Sequence, residues 1–272
     1  MSEQPILVLG ATGTTGRRVA RLLRYQGVEV RAASRSGEVR FDWSDPETWE
    51  PALSGVDRIY LMAPDGTPVD EAFVRLAVER GARRIVLLSS RGIEQMNDER
   101  LLTAERVVRD SGADWTILRA DWFNQNFDEG FFQPAVLAGS LALPVGGTRQ
   151  AFVDADDIAA VAATVLGEDA HEGRCYEVTG PQPLSFAEAL AMVSHASGRA
   201  VRFGGTEEDY LAQQRALGSP DEQTRQEIAA YAALAAAGDA ETTDTVRRVT
   251  GRDPKSFADY AAEAAAGPAW RD

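Results

Sequence analysis

The stretch "ILVLGATGTTGRRVARLL", Ile6 to Leu23, sets three glycines at three-residue intervals between an apolar run and a helical stripe. Ile6-Leu7-Val8-Leu9 reads as a short strand buried on both faces. Val19, Leu22 and Leu23 fall at the spacing of a helix packed on a sheet. A helix that starts straight out of a strand leaves N–H groups without partners, and these attract an anion. Gly10, Gly13 and Gly16 would permit the turn, the close approach of a pyrophosphate and tight helix–strand packing. At the end of the next strand, an NAD site usually places a carboxylate about 20 residues past the turn. Here "AASRSG" supplies Ser34, Arg35 and Ser36, with no acid before Glu38. A guanidinium flanked by hydroxyls suits a 2′-phosphate, so NADP(H) is expected over NAD. A solvated loop arginine is the alternative reading of Arg35.

Other polar groups stand where strands should end. Ser90 closes "RRIVLLSS", either as a hydrogen-bond donor to an acceptor or as a strand-end cap. Asp121 follows "WTILRA" and would balance a cationic acceptor, relay a proton or cap a helix. Then comes "DWFNQNFDEGFF", in which Trp122, Phe123, Asn126 and Phe127 do not fit one buried helical stripe. They are expected to wall a nicotinamide and a flat substrate. His171 and His195 are isolated from any carboxylate or thiolate at ligand spacing, so no metal site is expected. Cys175, the lone cysteine, lies in "RCYEV" and is expected as a buried packing thiol. It can form no internal disulfide, which suits a reducing cytosol.

Alternating strand and helix signals must position these groups. Strands are expected at 6–9, 28–34, 39–43, 58–63, 83–90 and 115–120. Helices fall between them, including one started by Asp45 and Pro46, one over 70–80 and one over 98–110. This order implies an α/β, doubly wound parallel Rossmann sheet with ligand at the strands' carboxyl ends. Past Ala120 the rhythm breaks. A helix over 154–166 and the strand "CYEVTG" precede the helix "SFAEALAMVSHASG", and the reading over 206–266 is helical. Residues 1–120 are expected to form the dinucleotide-binding core, with 151–180 returning to it. Residues 121–150 and 181–272 form a smaller, mainly helical substrate lobe. Within it a helix over 222–237 places Ile228, Ala232 and Ala235 at core-like spacing. The alanine-rich pieces "EIAAYAALAAAG" and "DYAAEAAAG" suit close helix packing or a homodimer interface.

Composition bounds the partners. The 272 residues carry 28 Lys plus Arg against 42 Asp plus Glu, a net charge of −14 that argues against nucleic acid or an anionic membrane. The start "MSEQP" is acidic, and no apolar run approaches the roughly 18 residues of a membrane span. A cytoplasmic protein with a small-molecule substrate is expected.

The pieces "GATGTTG", "ASRS…VRFDW", "VLLSS", "AERVVRDSGADWTILRADWFNQNF" and "FVDADDIAAVA" occur in an order that resembles the NmrA-like group of atypical short-chain dehydrogenase/reductases. The chain looks most like its ergot-alkaloid reductase branch, the festuclavine and agroclavine dehydrogenase type. The resemblance implies pyrophosphate contacts from Gly10, Thr12, Gly13, Thr15 and Gly16. It further implies Ser34 and Arg35 at the 2′-phosphate, Asp42 and Trp43 at the adenine, and Ala63, Pro64 and Ser89 along the ribose and nicotinamide. Read by itself, Asp42 could equally be a turn-former. The family's catalytic serine falls on Ser90. Short-chain reductases usually pair a Tyr with a Lys four residues later, where the Tyr protonates the developing alkoxide. Between Ser90 and Ser111 this chain has neither, and Asn97 and Leu101 fall near those positions. The expected activity is therefore NADPH-dependent hydride transfer to an imine, quinone or enone, whose products need no strong acid. The alternatives are an NADP(H)-sensing regulator without turnover, and a redox-neutral cyclase or isomerase.

Overall fold

The computed structural model describes residues 4–271, so the acidic start "MSE" lies outside the described residues. Seven parallel strands form the central sheet: β1 (Ile6–Leu9), β2 (Val30–Ser34), β3 (Val39–Arg40), β4 (Arg58–Leu61), β5 (Arg84–Ser90), β6 (Asp114–Ala120) and β9 (Arg174–Val178). Their order is β3-β2-β1-β4-β5-β6-β9. β1 pairs with β2 on one side and β4 on the other, Leu9 lying opposite Ala33 and Val8 opposite Tyr60. The chain reverses its direction across the sheet after β3, which leaves a crevice at the carboxyl ends beside β1.

Both faces of the sheet are covered, so its strands are apolar on both sides. Leu7, Leu9, Ile59, Leu61, Ile85 and Leu87 pack with α2 (Trp49–Leu53), α3 (Glu71–Glu79) and α4 (Glu99–Arg109). Ile6, Val8, Tyr60 and Val86 face α1 (Thr14–Tyr25) and α6 (Ala155–Gly167). A third core lies in the lobe, built on α5 (Gln133–Leu137), β7 (Ser140–Ala142), β8 (Arg149–Gln150), β10 (Leu184–Ser185), α7 (Phe186–Ser197) and β11 (Arg202–Gly204). β8 pairs antiparallel with β10, and β7 pairs parallel with β11. The tail supplies α8 (Glu207–Leu217), α9 (Asp221–Ala236), α10 (Thr245–Thr250) and α11 (Phe257–Ala266). Val246 of α10 belongs to the sheet's core beside α6, so the tail is shared between the two cores.

Three expectations need correction. The third strand stops at Arg40, because the Asp42 carboxylate accepts from the Ser44 N–H (3.0 Å) and hydroxyl (2.8 Å) and folds the chain into a turn. Cys175 is exposed, because β9 is the last strand of the sheet. In α9, Ala232 faces solvent and Ile228 and Ala235 are half-buried, while Thr224 and Leu234 are buried. The alanines had hidden which side of this helix faces the protein. Among the described residues no helix is long and apolar enough to cross a membrane.

Candidate active site

The glycine turn has the form that its sequence implies. Gly10 sits at φ +64°, and a Cβ there would run into the Met62 thioether. A Cβ on Gly16 would strike the Gly10 carbonyl, so α1 could not approach β1 so closely. Gly13 caps α1 in extended conformation, with no side-chain hydrogen bond to the helix and no acidic residue in its first turn. The helix thus presents first-turn N–H groups and the positive end of its dipole to the crevice. Thr12 is exposed on this turn, while the Thr15 side chain is buried beside it.

The next strand ends with a second polar cradle. The Ser34 hydroxyl is buried and has no hydrogen-bond partner, an uncommon arrangement that leaves it available to a ligand or water. Arg35 is exposed, and no hydrogen bond or ion pair among the described residues engages its guanidinium. Asp42 is a turn-former, and its bonds from Ser44 hold its carboxyl below the usual range. Trp43 packs edge-on against Phe41 (5.1 Å) and Phe73 (5.2 Å). These residues fit a phosphorylated dinucleotide: uncapped N–H groups, glycines whose Cβ positions are already filled, an orphaned hydroxyl and a free guanidinium.

From Thr14 and Thr15 a cleft of about 1460 Å³ runs across the carboxyl ends of β4, β5 and β6 toward α9. Of the residues singled out in the sequence, Ala63, Pro64, Ser89, Ser90, Asp121, Trp122, Phe123 and Asn126 line it, and Met62 joins them. The Ser89 hydroxyl, however, is turned to the opposite face, donating to Glu105 Oε1 at 2.8 Å. Glu105 is fully buried, with its oxygens also taking Arg119 Nε and Nη2 (both 2.8 Å) and Arg109 Nη2 (2.9 Å). The Ser90 hydroxyl donates to the Arg91 carbonyl at 3.1 Å.

Asp121 is buried and already paired. Its carboxylate accepts from the Trp122 N–H (2.8 Å) and from Arg91 Nη1 (3.0 Å). Burial raises its pKa, and these bonds oppose the shift. Arg91 also reaches Glu177 (3.1 Å) and the Glu241 carbonyl (2.9 Å), tying the ends of β6 and β9 to the loop after α9. That hub was not singled out from the sequence, where Arg91 merely follows Ser89 and Ser90.

One aromatic assignment is wrong. Phe127 is fully buried in the lobe's core against Phe132, Phe152, Phe186 and Phe257 and does not reach the cleft. A short 3-10 turn over Asn124–Phe127 aims it inward. Phe131, 57% exposed, takes that place on the cleft wall, and Tyr231 of α9 joins it. Trp122 stacks near Tyr231 at 6.4 Å and on Phe132 at 5.7 Å. An i, i+1, i+5 pattern could not tell which ring faces which cavity, and nothing local marked Tyr231. Among the described residues no group of His, Cys, Asp or Glu is arranged to hold a metal.

A doubly wound parallel sheet with an uncapped glycine turn at its crevice defines a dinucleotide-binding protein of the Rossmann class. The chain belongs to the NAD(P)H-binding family, whose model matches residues 10–169, and is an oxidoreductase of its NmrA-like branch. It is 31% identical to prestalk A differentiation protein A of Dictyostelium discoideum, over 96% of this chain and 93% of that one. It is 33% identical to an NAD(P)H azoreductase of Xenophilus azovorans, over 94% and 96% of the two chains. A (4-alkanoyl-5-oxo-2,5-dihydrofuran-3-yl)methyl phosphate reductase of Streptomyces griseus shares 33% identity over 95% and 97%. Agroclavine dehydrogenase of Claviceps fusiformis, of the branch that the motifs resembled, shares 25% over 95% and 96%. In fold the chain is similar to the NADPH complex of the Escherichia coli quinone oxidoreductase QOR2, with a TM-score of 0.73 at 23% identity, covering 95% and 99% of the two chains.

Proposed function

We propose that this protein is an NADPH-dependent reductase of a flat, conjugated small molecule, and that it acts without a Tyr/Lys pair. The observation that carries the reading is the aromatic-walled cleft opening directly from the uncapped end of α1. The main chain at Gly10 to Gly16 would hold the pyrophosphate, with Ser34 and Arg35 on the 2′-phosphate, a choice supported by the orphaned hydroxyl and the free guanidinium. When bound, the reduced nicotinamide supplies hydride. Trp122, Phe131 and Tyr231 would orient a planar acceptor and exclude water from one of its faces.

Among the three acceptor classes, the pairing of Asp121 favours a quinone or a polarised enone over a cationic imine. Its carboxylate is already engaged by the Arg91 guanidinium and the Trp122 N–H, so it does not stand as an unpartnered group for an iminium. The names of two relatives, an azoreductase and a reductase of an acyl-substituted unsaturated lactone, also point to electrophilic conjugated acceptors. The test is a titration of the purified protein with NADPH and NADH. NADPH oxidation is then followed with a menadione-type quinone, a cyclic enone and a cyclic imine. Tight NADPH binding with oxidation that depends on the quinone or enone supports the reading. Binding without turnover on any acceptor overturns it in favour of a sensor or a redox-neutral enzyme.

A further inference from the structure

The cleft poses a problem of proton supply. Hydride transfer to an enone or quinone leaves charge on oxygen, and the helix after β5 carries no tyrosine to meet it. The evident substitutes are committed. The Ser89 hydroxyl is given to Glu105, the Ser90 hydroxyl to the Arg91 carbonyl, and Asp121 is an acceptor already bonded by Trp122 and Arg91.

We infer that Tyr231 is the proton donor to the acceptor's oxygen, a phenol brought into the cleft by the C-terminal helix α9. The inference rests on the reductase reading given above. It comes from a comparison of the six tyrosines. Tyr25 is on the surface, and Tyr60 is sealed within the sheet. Tyr176 pairs with His171 (2.9 Å), Tyr210 donates to Glu227 (2.7 Å) and Tyr260 to Asp128 (2.8 Å). Tyr231 lines the cleft, and its hydroxyl has no hydrogen-bond partner among the described residues.

Its ring is also fixed. Trp122 lies nearly parallel to it (24°), and Tyr210 meets it edge-on at 5.7 Å. The carboxylate one turn earlier on α9, Glu227, does not capture the proton. Its Oε2 accepts from Tyr210 and its Oε1 from Gln223 (2.9 Å). Burial, with the Glu227 charge in support, pushes the phenol up to about 12. Tyr231 therefore stays protonated at neutral pH and is a weaker acid than a free phenol, so it gives up its proton only as charge develops on the acceptor's oxygen. What marks it as the donor is its place in the cleft and a hydroxyl left unpartnered among the described residues.

For an enone the balance is as follows. The β-carbon gains hydride from the reduced nicotinamide, and the π pair moves through the conjugated system to the carbonyl oxygen. The O–H bond of Tyr231 breaks as a new O–H bond forms there. The phenolate recovers its proton from water, and the enol tautomerises to the ketone. An iminium needs none of this, because hydride converts it directly to a neutral amine.

That contrast supplies the experiment. Tyr231→Phe keeps the ring and its stacking and removes only the donor. We expect unchanged NADPH affinity, and kcat on a cyclic enone and on menadione lowered about tenfold or more. Turnover of a preformed N-methyl dihydroisoquinolinium should stay at the wild-type rate. As a readout independent of turnover, the anion of 2-hydroxy-1,4-naphthoquinone is titrated into NADP⁺-loaded protein by quenching of tryptophan fluorescence. The variant should bind it about tenfold more weakly than wild type. An equal loss on the iminium would make Tyr231 a packing residue and overturn the inference. So would unchanged enone turnover, or anion binding equal to that of wild type or absent from it. If wild type reduces no acceptor, the reductase reading fails separately, and the anion titration still decides whether the Tyr231 hydroxyl donates into the cleft.

Discussion

Replacing Glu105 by Ala tests how the cleft floor is held. Glu105 is fully buried on α4, and its two oxygens receive four hydrogen bonds, two from Arg119 and one each from Arg109 and Ser89. Removing one partner of a buried pair costs roughly 3–5 kcal/mol, mostly because the other charge is left without compensation. Here the lower end applies. Arg119 keeps Glu94 at 2.7 Å, and Arg109 is 36% exposed and regains water. A loss of about 3 kcal/mol corresponds to a fall in Tm of roughly 6–12 °C for a domain of this size. The pH dependence gives the sign. Burial alone would raise the Glu105 pKa, but the bonds from Arg119 and Ser89 and the arginine charges outweigh it and hold the carboxyl low. A lowered folded pKa means stabilisation that is complete above the ordinary glutamate value of about 4.3 and lost as pH falls through the folded value. The gap between wild type and Glu105→Ala should therefore be full at pH 7 and shrink in acid. Thermal unfolding from pH 7 down to about 3 checks this. A Tm drop under about 2 °C, or a gap that widens on acidification, would refute the argument.

Four further outcomes are expected. Arg35→Ala should weaken NADPH binding about tenfold and leave NADH unchanged, since an exposed charge-assisted bond falls at the low end of about 1.5–3 kcal/mol; paired fluorescence titrations measure the ratio. Phe127→Ala should cost about 3–5 kcal/mol of stability as a core cavity, whereas Phe131→Ala should leave Tm nearly unchanged and raise KM; denaturant unfolding and steady-state kinetics separate the two. Gly16→Ala should weaken NADPH binding and lower Tm together, because the new methyl group forces α1 away from the Gly10 carbonyl. Burial raises the Asp128 pKa to about 6 against the opposing bond from Tyr260, so the folded state gains protons between about 4 and 6 and loses stability as pH rises through that range. Asp128→Asn should flatten that slope and raise Tm above pH 6, as read by thermal melts across the range.

The sheet strands were legible because a parallel strand buried on both faces must be apolar along its middle, as "ILVL" is and as "RIYL" and "RIVLLSS" are between their polar ends. Where side chains compete with the ladder the reading failed, as at Asp42, whose carboxylate closes a turn on Ser44. In α9, alanine is small enough to sit on either side of a helix, so neither Leu234 nor Tyr231 announced its surroundings. Cys175 sits on an edge strand, and no residue in "RCYEV" reports which strand will lie outermost.

The sequence by itself determined the elements of the proposed dinucleotide end of the site. Its two parts are each local in the chain, Gly10, Gly13 and Gly16 at the turn and Ser34 and Arg35 at the next strand end, and the pairing of adjacent strands β1 and β2 that joins them follows from the apolar runs themselves. Tertiary structure decided the acceptor end. Only folding brings Tyr231 beside Trp122, 109 positions away, sets Arg91 between Asp121, Glu177 and Glu241, and turns Phe127 into the core while Phe131 faces the cleft. Such contacts depend on how the lobe packs over the sheet, and packing is set jointly by many distant residues and not by the spacing of a few.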